Sequence, residues 1–358
     1  MAALQFQRGC HLTSKMINIR PNNLLSILLS TAILLILAVP ADSGQPTTSR
    51  TADELEAIRN KSEVTILLTD SGLGGLSVVA EIENHLEQCH LFKQVHLVFA
   101  NALPSNDRPY NRMSDMSEKA AVFSHALDGF IKHYQPDIIL IACNTLSVVY
   151  PYTEFSDRSP VPVLGIVDFG VDLIDQHLTG DSLSSVIIVG TPTTAESGAH
   201  RQGLLSRGVS ADRITVQGCD MLESEIQANP ESDIVGSMIE MYALEAADSV
   251  KSEETGDVVV ALCCTHYGFA RRAFSDVFSR VLGKPVTVVD PNTAMAAALF
   301  TGADCSRYGN TAVNVDVVSR AELSSGDIEA IAHMIEPTSA VTAEALRKYT
   351  FDENLFED

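Results

Sequence analysis

VTILLTDSGLGG, residues 64–75, is the stretch whose reading decides the fold. It is nearly all apolar up to Asp70, as in a strand covered on both faces. Its polar, glycine-rich end is a tight turn into GLSVVAEIENHLEQ, residues 75–88, where apolar residues recur at three- and four-residue spacing. The alternation continues outward. VHLVFA, DIILIAC, VPVLGIV, SVIIVG, RITVQ, DVVVALCC and PVTVVD read as strands, and MSEKAAVFSHALDGFIKHY, residues 116–134, as one of the helices between them. Strands buried on both faces and alternating with helices predict an α/β fold built on parallel-type sheets.

In such sheets chemistry sits beyond the carboxyl ends of the strands. Three strands end there in reactive residues: the first in Asp70 and Ser71, DIILIACNT in Cys143, Asn144 and Thr145, and DVVVALCCTHY in Cys264, Thr265 and His266. The two cysteine segments resemble one another, which suggests two pseudo-symmetric domains facing a central cleft. Inverting an α-carbon needs a base on one face and an acid on the other. A thiol, with an ordinary pKa of about 8.5, serves either role once tuned, and helix N-termini lower that pKa. Asp70 and His266 suggest themselves as proton partners. A lone cysteine after an apolar strand is usually a small buried hydrophobe, the expectation for Cys89, Cys219 and Cys305. Cys263 is expected to pack on the face opposite Cys264. The glycines at 72–75 lack the spacing and the lysine of a phosphate loop, so backbone amides facing a carboxylate are the simpler reading.

The chain has 358 residues, 46% hydrophobic and 20% charged, enough for two domains with substantial cores. A net charge of -22 repels a phosphate backbone and argues against nucleic-acid binding. The seven cysteines include no CxxC pair and form no disulfide framework. LLSILLSTAILLILAV, residues 24–39, follows Arg8, Lys15 and Arg20 and precedes Pro40-Ala41, the pattern of a secretory signal peptide over residues 1–41. Export to a periplasm or medium is therefore expected; an uncleaved segment would anchor the chain to a membrane, and a misread one would leave it cytoplasmic. Residues 42–61 read as a linker, 62–160 as a first domain completed by about 291–330, and 161–290 as a second. Residues 331–358 read as a helix and an acidic tail, FDENLFED, expected to fray.

DSGLGGLSVVAEI (70–82), RPYNRMS (108–114), IACNTLS (141–147), VGTPTTAESGAH (189–200) and LCCTHYGF (262–269) together resemble, in order, the motifs of glutamate racemases in the aspartate/glutamate racemase superfamily. The resemblance implies two facing α/β domains, no cofactor, no pyridoxal phosphate and no metal. It makes Cys143 and Cys264 the acid/base pair, assisted by Asp70 and His266. It assigns contacts with a small amino-acid substrate to Ser71, Pro109, Tyr110, Asn111, Asn144, Thr145, Thr194 and Thr265. It also implies D-amino-acid supply for cell-wall peptidoglycan and pairing into a homodimer, although no sequence feature marks an interface. The sequence departs from the motifs at Asn101, Asn111, Phe169 and Gly268-Phe269, which leaves the acidic side chain of the substrate open. An aspartate- or hydantoin-type enzyme, a one-thiol decarboxylase and an exported amino-acid-binding protein remain alternatives.

Overall fold

The computed structural model describes residues 47–250 and 256–357. The apolar run at 24–39, its flanking basic residues and Cys10 lie outside them. Among the described residues no helix is long and apolar enough to cross a membrane. The stretch expected to be a linker is instead helix α1 (Thr47–Arg59). Leu55 and Ile58 are buried, and Arg59 donates hydrogen bonds to the carbonyls of Leu299 and Ala298. The isolated apolar pair on one turn was too weak a signal to read as an amphipathic helix.

Two parallel sheets form the frame. The first is built from β1 (Glu63–Asp70), β2 (Gln94–Asn101), β3 (Ile138–Ile141) and β4 (Val163–Gly165). Helices α2 (Leu76–Gln88), α3 (Met116–Tyr134) and α4 (Asn144–Val149) connect them. After β4, α5 (Ile166–Leu178) carries the chain to the second sheet. There β5 (Ser185–Gly190) leads to α6 (Pro192–Ser197) and α7 (Ala199–Ser206), and β6 (Ile214–Gly218) to α8 (Leu222–Ala228) and α9 (Asp233–Ala247). Next come β7 (Val258–Cys263), α10 (Arg271–Leu282), β8 (Val286–Val289) and α11 (Pro291–Ala298). The chain then returns to the first sheet with β9 (Ala312–Ser319), α12 (Ser325–Ile335), α13 (Ala340–Arg347) and the short β10 (Thr350–Phe351).

The strand orders are β10-β9-β2-β1-β3-β4 and β6-β5-β7-β8, every pairing parallel. Each sheet is covered on both faces, as its apolar strands require. Along β1, Ile66 and Leu68 join one core and Leu67 the other. All three are fully buried, each worth roughly 1.5–3 kcal/mol. Because β4 pairs with β3, the boundary expected at residue 161 falls too early; the crossover is α5.

The C-terminal region also differs from expectation. It holds two helices, and its tail does not fray: β10 pairs with β9, and Leu355 and Phe356 are buried against α3. A side chain at Gly129 would meet the Leu355 carbonyl at 2.2 Å, so helix and tail touch backbone to backbone. Two apolar residues among acidic ones carried too little pattern to reveal this.

Cys89 and Cys305 are joined in a disulfide across 216 residues, which corrects their reading as packed thiols; Cys305 is in fact exposed. Cys143, Cys219, Cys263 and Cys264 are free and buried.

Candidate active site

One cavity of about 170 Å³ takes its walls from the strand ends of both sheets. It contains every residue singled out from sequence except Thr194: Asp70, Ser71, Pro109, Tyr110, Asn111, Cys143, Asn144, Thr145, Cys264, Thr265 and His266. Thr191 takes that place on the wall. Its hydroxyl bonds Thr145 Oγ1 at 2.8 Å, and Thr194 Oγ1 stands behind at 3.1 Å. As the cap of α6, Thr191 is drawn to the helix mouth, which turns Thr194 inward.

Asp70, at the end of β1, is held rigidly. Its Oδ2 accepts from the Gly75 backbone N–H at 2.6 Å and from Thr265 Oγ1 at 2.8 Å; Oδ1 accepts from the Gly72 N–H at 3.2 Å. The glycine turn therefore cradles a carboxylate of the protein itself, and the Thr265 bond ties the second sheet to the first. Asp70 does not bond Cys143 directly. Ser71 Oγ lies between them, 3.1 Å from Cys143 Sγ and 3.5 Å from Asp70 Oδ1.

Cys143 caps α4 by accepting from the Leu146 N–H at 3.4 Å. The helix end does not make it acidic. Burial pushes the thiol far up, the Asp70 charge adds to that, and the bonds from Ser71 and Leu146 offset only part. Cys264 is likewise raised by burial, with the charges of Glu223, Cys143 and Asp70 adding, against a bond from the His266 backbone N–H. Neither thiol is lowered as expected: burial is the largest influence on both and raises both pKa values. Cys263, the last residue of β7, packs in a different core from Cys264, as alternation requires, and also lines the cavity.

Asn144 is 2% exposed, and neither its amide oxygen nor its amide nitrogen has a partner in the protein. Such a group facing a cavity is a ready donor and acceptor for a zwitterion. Tyr110 instead spends its hydroxyl on the Ala102 carbonyl at 3.2 Å, while its ring packs in the core. Asn101 turns to the Leu103 N–H at 2.8 Å and does not reach the cavity wall.

Sequence reading missed the helix that closes the pocket. Glu223, Ser224 and Gln227 of α8 line it. Glu223 Oε2 is buried and unpartnered, and burial raises its pKa. The available signal was the position of α8 just past the end of β6, the same rule that located the cysteines.

Gly74 admits no side chain: a Cβ would stand 2.5 Å from Thr265 Oγ1 and 2.7 Å from His266 Nδ1. Gly74→Ala is accordingly expected to lower turnover at least about tenfold by displacing the Thr265–Asp70 contact, worth roughly 1.5–3 kcal/mol for a bond to a charge. Steady-state kinetics beside a melting curve checks this; unchanged turnover would show that the turn yields freely.

The fold sits within a known lineage. Residues 66–299 match the family described as Asp/Glu/Hydantoin racemase. The glutamate racemase of Aquifex pyrophilus is 28% identical over 234 residues, covering 64% of this chain and 80% of that one. The glutamate racemase of Desulforudis audaxviator is 29% identical over 278 residues, covering 74% and 90%. The solved glutamate racemase of Francisella tularensis in complex with D-glutamate shares the fold with a TM-score of 0.58 at 19% identity, covering 78% of this chain and 94% of its own. That of Campylobacter jejuni gives 0.56 at 22%, covering 76% and 97%. The chain belongs to the Asp/Glu/Hydantoin racemase family.

Proposed function

We propose that the protein is a cofactor-independent amino-acid racemase that interconverts L- and D-glutamate, or a close acidic relative, with Cys143 and Cys264 as its two proton-transfer groups. The observation that carries this reading is that two free thiols, from the strand ends of different sheets, line one cavity. In the forward direction one thiolate takes the α-proton while the other thiol delivers a proton to the opposite face. The reverse direction exchanges their roles. Both thiols are raised above their ordinary pKa, so the first must lose its proton to solvent before reaction; the substrate's ammonium, entering beside it, favours the thiolate. Ser71 orients Cys143 and hands its hydrogen bond on to Asp70. Asn144, Thr145, Thr191 and Thr265 offer amide and hydroxyl groups to the α-carboxylate. Glu223 lines the cavity with a buried, unpartnered Oε2, and burial raises its pKa.

The test is α-proton exchange in deuterated buffer on the full chain, with both enantiomers of glutamate and of aspartate. Exchange with inversion names the substrate. A folded protein with free thiols that exchanges none of the four would overturn this reading and favour simple capture of an amino acid.

Export of the protein is part of the same proposal. The Cys89–Cys305 bridge supports an oxidising compartment, alongside the apolar run at 24–39. In protein taken from its native compartment, Cys89 and Cys305 should resist alkylation until reduced; ready labelling of both would count against export.

A further inference from the structure

The imidazole of His266 does not turn to Cys264. Its Nε2 lies 3.0 Å from Oε1 of Gln227, whose Nε2 in turn donates to Oδ1 of Asp327 at 2.7 Å. The three residues come from three places: the turn after β7, α8 and α12. Asp327 lies beyond residues 66–299, the part matched by the family. It is fixed from its other side too, because its Oδ2 accepts from Ser324 Oγ at 2.6 Å and its backbone N–H donates to the same hydroxyl at 3.0 Å.

The donor rules leave this chain one polarity. A carboxylate only accepts, so the amide must present its NH2 group to Asp327 and its oxygen to His266. The oxygen also only accepts, so Nε2 of His266 must carry a proton. The neutral ring then has its lone pair on Nδ1, on the side of the Gly72–Gly74 turn, where a Cβ at Gly74 would come within 2.7 Å of it. We propose that Asp327, in the C-terminal region, is a positioning residue that sets the tautomer of the active-site His266 through the orientation of Gln227. This rests on the racemase reading for its catalytic consequence, but the tautomer itself does not.

The experiment uses the full chain in three forms: wild type, Asp327→Asn, and a double variant that combines Asp327→Asn with Gln227→Glu. Asp327→Asn allows the Gln227 amide to flip, because the new amide accepts as well as donates. The double variant swaps the chemistry: the introduced carboxylate on α8 still demands a proton on Nε2 of His266, and the introduced amide on α12 donates to that carboxylate. Nitrogen NMR on histidine-labelled protein should show the Nε2-protonated tautomer for His266 in wild type and in the double variant, and a mixture in Asp327→Asn. Turnover should fall about tenfold in Asp327→Asn with KM little changed, and recover in the double variant, the size expected for losing one bond to a charge. Weaker capping of α12 cannot mimic this, since both variants carry the same change in that helix. An unmixed tautomer in Asp327→Asn, or a double variant no better than the single one, would overturn the proposal. An inactive wild type with the expected tautomers would instead discard the racemase reading and leave the positioning intact.

Discussion

Cys143→Ser and Cys264→Ser each lower racemisation by at least about 10², because each removes a positioned proton-transfer group of the kind worth 10²–10⁴ in rate. The variants should differ in what survives. With one thiol gone, the other still reaches the α-proton of the enantiomer that faces it, so each variant should exchange a different enantiomer with solvent, without inversion. Proton NMR in deuterated buffer separates these patterns, and full racemisation by both variants would sink the two-thiol mechanism. Both thiols are held above their ordinary pKa by burial. The reactive state has one thiolate, which is scarce at neutral pH and grows as pH rises. kcat/KM should therefore climb through the neutral range, and a flat profile would place the activating proton elsewhere.

Breaking the Cys89–Cys305 bridge should produce the largest loss of stability of any single change outside the core. It closes a loop of 216 residues, for which the chain-entropy model gives about 5 kcal/mol. For about 300 ordered residues that is a fall in Tm of roughly 8 °C. Cys305→Ser, melted beside the unreduced parent, measures it. The bridge ties the end of α2 to the segment between α11 and β9, away from the cavity-lining residues. Turnover below the lowered Tm should thus remain near that of the parent. A Tm unchanged within about 1–2 °C, against the roughly 8 °C expected, would show that other contacts already hold that loop closed.

Most of the frame was legible because buried parallel strands write themselves as apolar runs. Every run picked out between Val64 and Asp290 contains a strand, although VPVLGIV supplies only Val163–Gly165 before α5 begins. The site was legible to the extent that it lies at strand ends, where Cys143 and Cys264 close unmistakable runs. What escaped depends on distance in sequence. MLESEIQ looks like a solvent-facing helix until β6 brings Glu223 and Gln227 over the cavity. Asp327 has no local mark beyond its capping serine, and its meaning appears only through Gln227. The thiol pKa values were misjudged for a related reason: helix position is written locally, whereas desolvation is the sum of everything packed around the group.

β9 enters the first sheet beside β2, pairing over its full length from Gln94–Ala312 to Asn101–Ser319. Until residue 319 has left the ribosome, β2 is therefore an unprotected edge. The domain that bears Asp70 and Cys143 cannot finish folding during synthesis of its own first half. It waits for a strand made more than two hundred residues later, and for the tail that packs on α3 after that. The first sheet is thus completed only after the second sheet, whose last strand ends at Val289, has been made.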